Sequence, residues 1–406
     1  MRILFLSQLV PFPPDAGPKI RIYYTIRYLV EAGHQVTLLA FKREDDDQAN
    51  IDHLKEICHA VHSVQLRRSR VRDVKDLVQS FLSNRPFLIS RDDFAGMHQK
   101  IENLLAQNSY DAIHADQLWM AQYALAARNA GTTNGRLMTV LDQHNSVFLI
   151  PLRLSMGSSN PLKRALLAEE SRRLADYERE TCQQFDHVVW VTAEDQRAMK
   201  KISNKNGYLR DDPIIPICVD PEARNEISFN NAAKRVTFLG GLHWPPNSEG
   251  IRWFYHEVWA IVQKKAPDST LTVIGKHPPS SLVKAQRNNQ NIEVSGYSAD
   301  PNRYLEETAA FIVPLHAGGG MRVKIVDAWS WGLPVVSTAV GAEGINSKDG
   351  DDILIADSPE EFADAVLMLL QDREYARILA KAGRKSVELN YDWRQVYKLW
   401  DQVYPR

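Results

Sequence analysis

The sequence predicts an α/β protein with two doubly wound, Rossmann-like domains that face each other across a cleft. Short apolar runs alternate with helical segments along the whole chain, which is typical of parallel sheets covered by helices. The 406 residues exceed what one ordinary hydrophobic core organises. A segment rich in proline, asparagine and aspartate interrupts the alternation, which then restarts. Together these observations predict two domains of similar architecture.

The first half of the chain supplies apolar runs that we interpret as the strands of one parallel sheet. In order they read RILFLS, QVTLLAF, VHSVQL, DAIHAD, LMTVLD and HVVWVT. Helices are expected between them, notably over residues 19–32, 117–129 and 162–184. The last of these is long and charged, with opposite charges four residues apart that suit an exposed face.

Residues 211–234 read as a linker, and the strand pattern restarts after them. The second set of runs is RVTFLG, STLTVIG, NIEVSGY, AAFIVPL, PVVST and DDILIA. Near the C-terminus, one helical stripe is predicted from Trp393, Val396, Leu399 and Trp400. We therefore predict an N-terminal domain over residues 1–213, a C-terminal domain over 214–388 and a final helix over 389–406.

Composition excludes several classes of protein. The net charge of −1 argues against a dedicated nucleic-acid binder. Cys58, Cys182 and Cys218 show no paired spacing, which fits reduced thiols in the cytoplasm. No window approaches the roughly 20 apolar residues of a membrane span. We expect a cytoplasmic protein, and the basic run at 67–75 is either a solvated face or a peripheral contact with acidic lipids at the inner membrane face.

Ligands of doubly wound sheets bind beyond the carboxyl ends of the strands, so polar residues there are candidates for chemistry. After the first strand, Gly17 precedes a helix N-terminus, which either attracts an anion or is a plain turn. His114 lies inside an apolar run and is interpreted as structural. Four polar residues follow another strand, namely Asp142, Gln143, His144 and Asn145. As a neutral histidine at a strand end, His144 either hydrogen-bonds a substrate hydroxyl or has its hydrogen bonds satisfied within its own loop.

In the second domain, the strongest candidate site is the stretch HAGGGMRVKIVDAW, which follows the strand AAFIVPL. Its glycines allow a close backbone approach to a ligand, and we expect a helix over residues 321–331. Arg322 and Lys324 would lie in its first turn, where cations oppose the helix dipole unless an anion binds. A diphosphate would supply that anion. Asp327 on the next turn is placed to accept hydrogen bonds from a ribose.

Two further features carry weaker signals. Gly240 and Gly241 follow the first strand of the second domain, where they form either a phosphate-binding turn or a tight turn under Trp244. Residues 53–62 gather histidines and a cysteine without a zinc-binding spacing. We therefore predict no metal and no cofactor.

Together these motifs resemble the retaining glycosyltransferases of the GT-B fold, specifically family four, over nearly the whole chain. The resemblance is carried by RILFLSQLVPFPPDAGPKIR, LDQHN, FLGGLHWPPNSEGIRWF and, most specifically, GGGMRVKIVDAWSWGLPVVSTAVGAEGI. It implies a nucleoside-diphosphate sugar as co-substrate, held mainly by the C-terminal domain. It also implies a glycan, lipid-linked or small-molecule acceptor on the N-terminal domain, transfer with retention and no metal. The final helix over 389–406 would pack on the N-terminal domain.

The resemblance also implies roles for individual residues. His144, Arg322 and Lys324 are the catalytic candidates, the cations stabilising charge on the leaving diphosphate. Asp142 and Asn145 are the acceptor candidates. Donor contacts are implied for Gly17, Gly241, Gly318, Gly319, Gly320, Met321 and Asp327.

The family commonly carries two glutamates eight residues apart, and those positions here are Gly319 and Asp327. Loss of the first carboxylate supports one alternative, a non-catalytic nucleotide-sugar-binding or scaffold protein. A second alternative is a sugar-nucleotide epimerase or phosphorylase on the same two-domain plan. Retention of Arg322, Lys324 and Asp327 argues against a scaffold, and the missing G-x-G-x-x-G fingerprint argues against a dehydrogenase.

Overall fold

The computed structural model describes residues 1–83, 85–130, 136–203, 210–224, 226–230, 232–298 and 300–406. The chain divides into two compact units, Met1–Cys218 with Trp393–Arg406, and Val219–Asp392. Each unit contains one six-stranded parallel sheet flanked by helices. The predicted α/β class with two doubly wound domains is therefore confirmed. The boundaries predicted after residues 213 and 388 lie a few residues before the observed ones.

In the first unit the sheet has the order β3-β2-β1-β4-β5-β6. Its strands are β1 (Arg2–Ser7), β2 (Gln35–Lys42), β3 (Ala60–Gln65), β4 (Ala112–Asp116), β5 (Met138–Gln143) and β6 (His187–Trp190). The strand order reverses between β1 and β4, which in doubly wound sheets opens a crevice at the carboxyl ends. The register pairs Asp116 with Asp142, so both carboxylates lie at that edge.

The helices of the first unit cover both faces of this sheet. They are α1 (Gly17–Glu31), α2 (Gln48–Ile57), α3 (Arg70–Ser83), α4 (Phe87–Arg91), α5 (Ala95–Gln107), α6 (Leu118–Asn129), α7 (Leu149–Met156), α8 (Pro161–Gln184) and α9 (Ala193–Ser203). Local signals explain the start of α8, because the Asn160 side chain accepts from the N–H groups of Leu162 and Lys163. The predicted helices at 19–32, 117–129 and 162–184 agree with α1, α6 and α8 to within a few residues.

In the second unit the sheet has the order β12-β11-β10-β7-β8-β9. Its strands are β7 (Arg235–Leu239), β8 (Thr270–Ile274), β9 (Ile292–Gly296), β10 (Thr308–Val313), β11 (Val335–Ser337) and β12 (Leu354–Ile355). Here the order reverses between β7 and β10. The two glycine-containing loops singled out in the sequence follow those two strands, so both flank the crevice where a ligand is expected.

The helices of the second unit are α10 (Pro245–Trp253), α11 (Trp259–Lys265), α12 (Ser280–Asn288), α13 (Asn302–Leu305), α14 (Val323–Ser330), α15 (Pro359–Gln371) and α16 (Arg373–Asn390). A π-helical turn, Phe254–Val258, joins α10 to α11, and Val340–Ala342 forms a 3₁₀ turn. A capping box of Ser358 and Glu361 starts α15. The helix predicted over 321–331 begins only at Val323 and ends at Ser330.

The C-terminal segment belongs to the first unit and consists of α17 (Trp393–Val396) and a 3₁₀ helix, Tyr397–Gln402. The predicted stripe is only partly correct. Trp393 and Trp400 are buried, but Leu399 is exposed, and Tyr397 and Tyr404 lie in the core instead. The tighter 3₁₀ turn changes which residues share a face.

Within the described residues, no helix combines the length and the apolar character needed to cross a bilayer.

Candidate functional site

A buried ion pair lies at the carboxyl edge of the first unit's sheet. Arg21, one turn after Gly17 in α1, donates from Nε and Nη2 to the two oxygens of Asp142, at 2.9 Å each. Both side chains are essentially inaccessible. Burial alone would raise the pKa of Asp142, but the Arg21 guanidinium holds it well below its usual range. Asp142, predicted to contact the acceptor, therefore has both oxygens engaged by a protein donor in this structure.

His144 follows this pair and lies between two carboxylates. Its Nε2 is 2.8 Å from Asp116 Oδ1 and 3.6 Å from Asp142 Oδ2. Burial lowers the pKa of the imidazole, but Asp116 and Asp142 outweigh burial and raise the pKa to about 9. The two carboxylates therefore favour the imidazolium form of His144, whereas the sequence analysis considered a neutral histidine. Nδ1 is buried, and none of the described residues hydrogen-bonds to it.

Helix α8 anchors the loop that follows β5. Glu178 accepts from Gln143 Nε2 at 2.6 Å and from the backbone N–H groups of Val147 and Phe148. Burial raises the pKa of Glu178 to about 8. Asn145, the other acceptor candidate, is partly exposed beside His144. The first unit therefore brings Asp142, His144 and Asn145 together at the end of β5, and Glu178 anchors the backbone of the loop that follows.

His114 is fully buried in β4 and has a different environment. Its ring stacks on Phe5 with centroids 4.0 Å apart, and its Nδ1 lies 2.8 Å from the Tyr404 hydroxyl. Burial lowers the pKa of His114 to about 3, so the ring is neutral. This environment agrees with the structural role predicted from sequence.

In the second unit, the loop between β10 and α14 requires glycine. Gly318 has a φ of 130° and Gly320 a φ of 73°, both in the region that L-residues rarely adopt. A Cβ on Gly318 would lie 2.9 Å from Arg322 Nη2. The glycines thus let the loop fold around the guanidinium. Gly319 is partly exposed between them, whereas Met321 is buried.

Arg322 is the N-cap of α14 rather than a first-turn residue. Its Nη1 donates to the carbonyl oxygens of Gly319 and Gly320 at 2.5 and 2.6 Å. The sequence-based placement is corrected because Gly320, with its positive φ, delays the helix by about half a turn. The guanidinium is consequently folded back onto the glycine loop, which lies where the strand order reverses between β7 and β10.

Lys324 occupies the first turn of α14 and reaches the loop after β7. Its Nζ donates to Asn247 Oδ1 at 2.7 Å, and Asn247 Nδ2 donates to the carbonyl of Gly241 at 2.9 Å. Burial, followed by the charge of Arg322, lowers the pKa of Lys324 to about 7. Arg322 and Lys324 thus lie near each other, and the charge of Asp327 offsets only part of the shift in the pKa of Lys324. A pair of neighbouring cations of this kind is suited to binding an anion.

Asp327 lies one turn further along α14 and is paired. Its Oδ1 is 2.7 Å from Arg224 Nη2, and the Arg224 guanidinium lies 4.5 Å from the centre of the Trp331 ring. Burial raises the pKa of Asp327, and Arg224 and Lys324 oppose that shift. Sequence reasoning assigned no role to Arg224, Asn247 or Asp116. Arg224 lies in the presumed linker, and Asp116 was visible only as a polar residue at a strand end.

The predicted site residues therefore form two sets. Gly17, Asp142, His144 and Asn145 belong to the first unit, and Gly241, Gly318, Gly319, Gly320, Met321, Arg322, Lys324 and Asp327 belong to the second. In the described part of the chain, one group has ligand atoms close enough for a metal, namely Asp116, Asp142 and His144, all within 4.8 Å. Arg21 already donates to both oxygens of Asp142, so in this structure these three side chains take part in ion pairs.

Two family models match the chain. The model described as Glycosyltransferase Family 4 matches residues 17–222, about half of the 406 residues. The model described as Glycosyl transferases group 1 matches residues 233–372. Each match falls essentially within one of the two units.

Individual relatives resemble the chain over its full length. A Klebsiella pneumoniae protein, described as an uncharacterized 44.6 kDa protein in the cps region, is 23% identical over 403 residues, 98% of each chain. Sucrose-phosphate synthase from Thermosynechococcus elongatus has a TM-score of 0.71 at 15% identity, covering 100% of this chain and 98% of its own. HepE from Anabaena, solved with UDP-glucose, has a TM-score of 0.66 at 14% identity, covering 100% and 99%. The solved structures share the fold.

Proposed function

The chain belongs to the GT-B glycosyltransferases that the two matching family models describe, and from this premise we propose that it is a retaining, family-four enzyme. It would move a sugar from a nucleoside-diphosphate sugar to an acceptor hydroxyl without a metal. The observation that carries this proposal is the placement of Arg322 and Lys324 beside the glycine loop, at the switch point between β7 and β10.

The two cations would stabilise the charge that develops on the leaving diphosphate. Lys324 has a lowered pKa because it is buried near Arg322, so an anion bound there relieves an unfavourable charge arrangement. The backbone of Gly318, Gly319 and Gly320 would approach the donor closely because no Cβ intervenes. This electrostatic stabilisation needs no proton transfer from the protein.

On the first unit, His144 would contact the transferred sugar. Asp116 keeps the imidazole charged, and the buried Nδ1 is the remaining donor for a substrate hydroxyl. His144 is therefore proposed as a hydrogen-bond donor and a local positive charge. In a retaining transfer, the acceptor proton would then pass to the donor phosphate.

Asp327 would hold the ribose of the donor, with Arg224 fixing its carboxylate in place. A carboxylate oxygen that accepts from Arg224 leaves the second oxygen for ribose hydroxyls. The 2.7 Å contact and the stacking of Arg224 on Trp331 support a positioning role for Arg224.

The substrates are proposed at the level of chemical class. HepE was solved with UDP-glucose, which supports a nucleoside-diphosphate hexose as donor. The acceptor is proposed to be a glycan, a lipid-linked saccharide or a small molecule, and the enzyme to act in the cytoplasm with a peripheral contact at the inner membrane face.

The test is thermal denaturation with UDP, GDP, ADP, dTDP and buffer alone. Wild type is compared with Arg322→Ala/Lys324→Ala and with the control Lys284→Ala/Arg287→Ala, which removes the same charges from the exposed face of α12. We expect one diphosphate to raise the midpoint in wild type and in the control, but not in the site variant. No rise in any folded protein would contradict the donor site.

A second measurement separates the alternatives. Incubation with the matching nucleotide sugar and a panel of hydroxyl acceptors, followed by mass spectrometry and NMR, distinguishes three outcomes. A glycosylated acceptor with the anomeric configuration of the donor supports the proposal. An epimerised nucleotide sugar would support the epimerase alternative. Binding without any product across the panel would favour the scaffold alternative.

A further inference from the structure

Helix α3 carries large aliphatic side chains on the surface. Five large aliphatic residues of this helix are between 41% and 85% exposed, namely Val71, Val74, Leu77, Val78 and Leu82. Four of them recur at intervals of three and four residues, so they share one face of the helix. We call these five residues the α3 face. A helix of a globular protein normally turns such a stripe inwards.

Polar contacts hold α3 in this inverted orientation. Arg72 contacts the backbone carbonyl of Asp93, and its guanidinium lies 3.8 Å from the centre of the Phe94 ring. The Ser80 hydroxyl is buried and donates to the carbonyl of Arg85 at 2.6 Å. Arg72 and Ser80 lie on the side of the helix opposite the α3 face. The unit therefore fixes the polar side of the helix inwards and the aliphatic side outwards.

Helix α8 contacts the end of α3 and carries further exposed aliphatic residues near its own start. Arg173 of α8 donates to the backbone carbonyl of Ser80, which ties α8 to the end of α3. Near the start of α8, Leu162 is 69% exposed and Leu166 is 51% exposed, one turn apart. Half of the exposed large aliphatic and aromatic side chains of the described chain belong to α3, α8 and the end of α7.

The sequence of the segments that carry these aliphatic residues is basic, although the protein as a whole is not. Residues 67–76 contain five basic and two acidic residues, a net charge of +3, and Lys163 and Arg164 add +2 at the start of α8. The whole chain has a net charge of −1. Arg68 and Arg72 pair with Asp92 and Asp76, whereas Arg67, Lys163 and Arg164 are exposed.

We propose that the α3 face and the first turn of α8 dock on an anionic lipid surface. Aliphatic side chains beside exposed cations match an acyl–headgroup boundary that carries negative charge. A second copy of the chain is a poorer occupant, because a two-fold interface would bring two basic surfaces together. This inference rests on the peripheral membrane contact of the proposed function and names the surface and the lipid chemistry.

The experiment is co-sedimentation with vesicles of phosphatidylcholine alone or with 30% phosphatidylglycerol, which is the probe, at low and high salt. The variant Val74→Asp/Val78→Asp is compared with the control Val283→Asp/Ile378→Asp, which changes exposed aliphatic residues of α12 and α16 in the second unit. We expect wild type and control to bind the anionic vesicles, more weakly at high salt, and the α3 variant to bind at least tenfold more weakly.

Three results would overturn the proposal. These are no binding of wild type to anionic vesicles, equal losses in the two variants, and a wild-type dimer in light scattering that the α3 variant converts to monomer. The nucleoside-diphosphate shift in the midpoint is measured on the same proteins. Because α3 is not part of the donor site, a retained shift with lost vesicle binding separates this inference from the transfer reaction.

Discussion

At the scale of single residues, Lys324 shows most directly why the proposed donor site would favour an anion. Its ammonium is held near Arg322 and away from bulk solvent, and burial together with that charge lowers its pKa to about 7. The hydrogen bond to Asn247 does not remove the conflict, since an amide oxygen carries no net charge. A bound diphosphate would do so, which links the protonation of Lys324 to donor binding.

The first prediction concerns the pH dependence of that binding. Affinity for the diphosphate selected by the thermal screen should fall as the pH rises from 7 to 9, by at most about tenfold per pH unit, because Lys324 loses its charge above about pH 7. In Lys324→Arg the charge persists and this fall should disappear. Calorimetry at constant ionic strength measures both. Lys284→Arg on α12 serves as the control, and parallel curves for wild type and Lys324→Arg would contradict the linkage.

His144 shows the opposite balance of the same forces. Burial lowers its pKa, yet two carboxylates from neighbouring strands raise the value to about 9. The sheet register decides this outcome, since it places Asp116 opposite Asp142. His114 is neutral by contrast, because burial lowers its pKa to about 3 and the carboxylate beside it, Asp142 at 3.9 Å from its Nε2, is already paired with Arg21.

At the scale of elements, the loop between β10 and α14 decides where the cations point. Gly318 and Gly320 adopt positive φ values, so the chain turns back before the helix starts. Arg322 is therefore the N-cap, and its side chain binds the carbonyls of the loop. The hydrogen bonds from Arg322 thus hold the guanidinium and the loop together.

The second prediction follows from this loop. Gly318→Ala should cost about 1–3 kcal/mol of backbone strain and push Arg322 aside, because the new Cβ would lie 2.9 Å from Nη2. We expect a folded protein whose midpoint no longer responds to the diphosphate. Gly157→Ala is the control, since Gly157 has a φ of −82° and the nearest atom to a new Cβ is 3.8 Å away. An unchanged diphosphate response in Gly318→Ala would show that the loop does not position the cation.

At the scale of the whole molecule, the C-terminal segment completes the core of the first unit. Trp400 and Tyr397 pack against the Arg21 guanidinium at 4.9 and 5.3 Å from their ring centres. Tyr404 reaches His114, which is 290 residues earlier in the sequence. The buried ion pair beneath His144 is thus enclosed by residues from both ends of the chain.

The third prediction tests this closure. Tyr404→Phe should lower the free energy of unfolding of the first unit by about 1–2 kcal/mol, because His114 Nδ1 loses its buried partner. Denaturant unfolding with a probe in the first unit measures the change. Tyr297→Phe, at an exposed position of the second unit, should leave stability unaltered. Equal stability of Tyr404→Phe and wild type would mean that the hydrogen bond contributes nothing net.

Much of this architecture is predictable from local patterns. Each apolar run that we interpreted as a strand is a strand in the structure. The alternation between buried strands and amphipathic helices depends on residues that are consecutive in the sequence, so it can be recognised without the tertiary structure. The glycine loop and the cations after AAFIVPL were identifiable for the same reason, as they lie within one short stretch. The helix start was misplaced because capping depends on φ angles that the residue types only suggest.

The sequence by itself determined the α/β class, the strands of both sheets and the stretch that carries the cations. Only the tertiary structure decided that Asp116 pairs with His144, that Arg224 pairs with Asp327 across 103 positions, and that α3 turns its aliphatic side outwards. The physical reason is the separation along the chain over which each kind of interaction acts. Hydrophobic periodicity acts between neighbours along the chain, whereas a buried ion pair depends on strand order and register, which bring distant residues to one edge of a sheet.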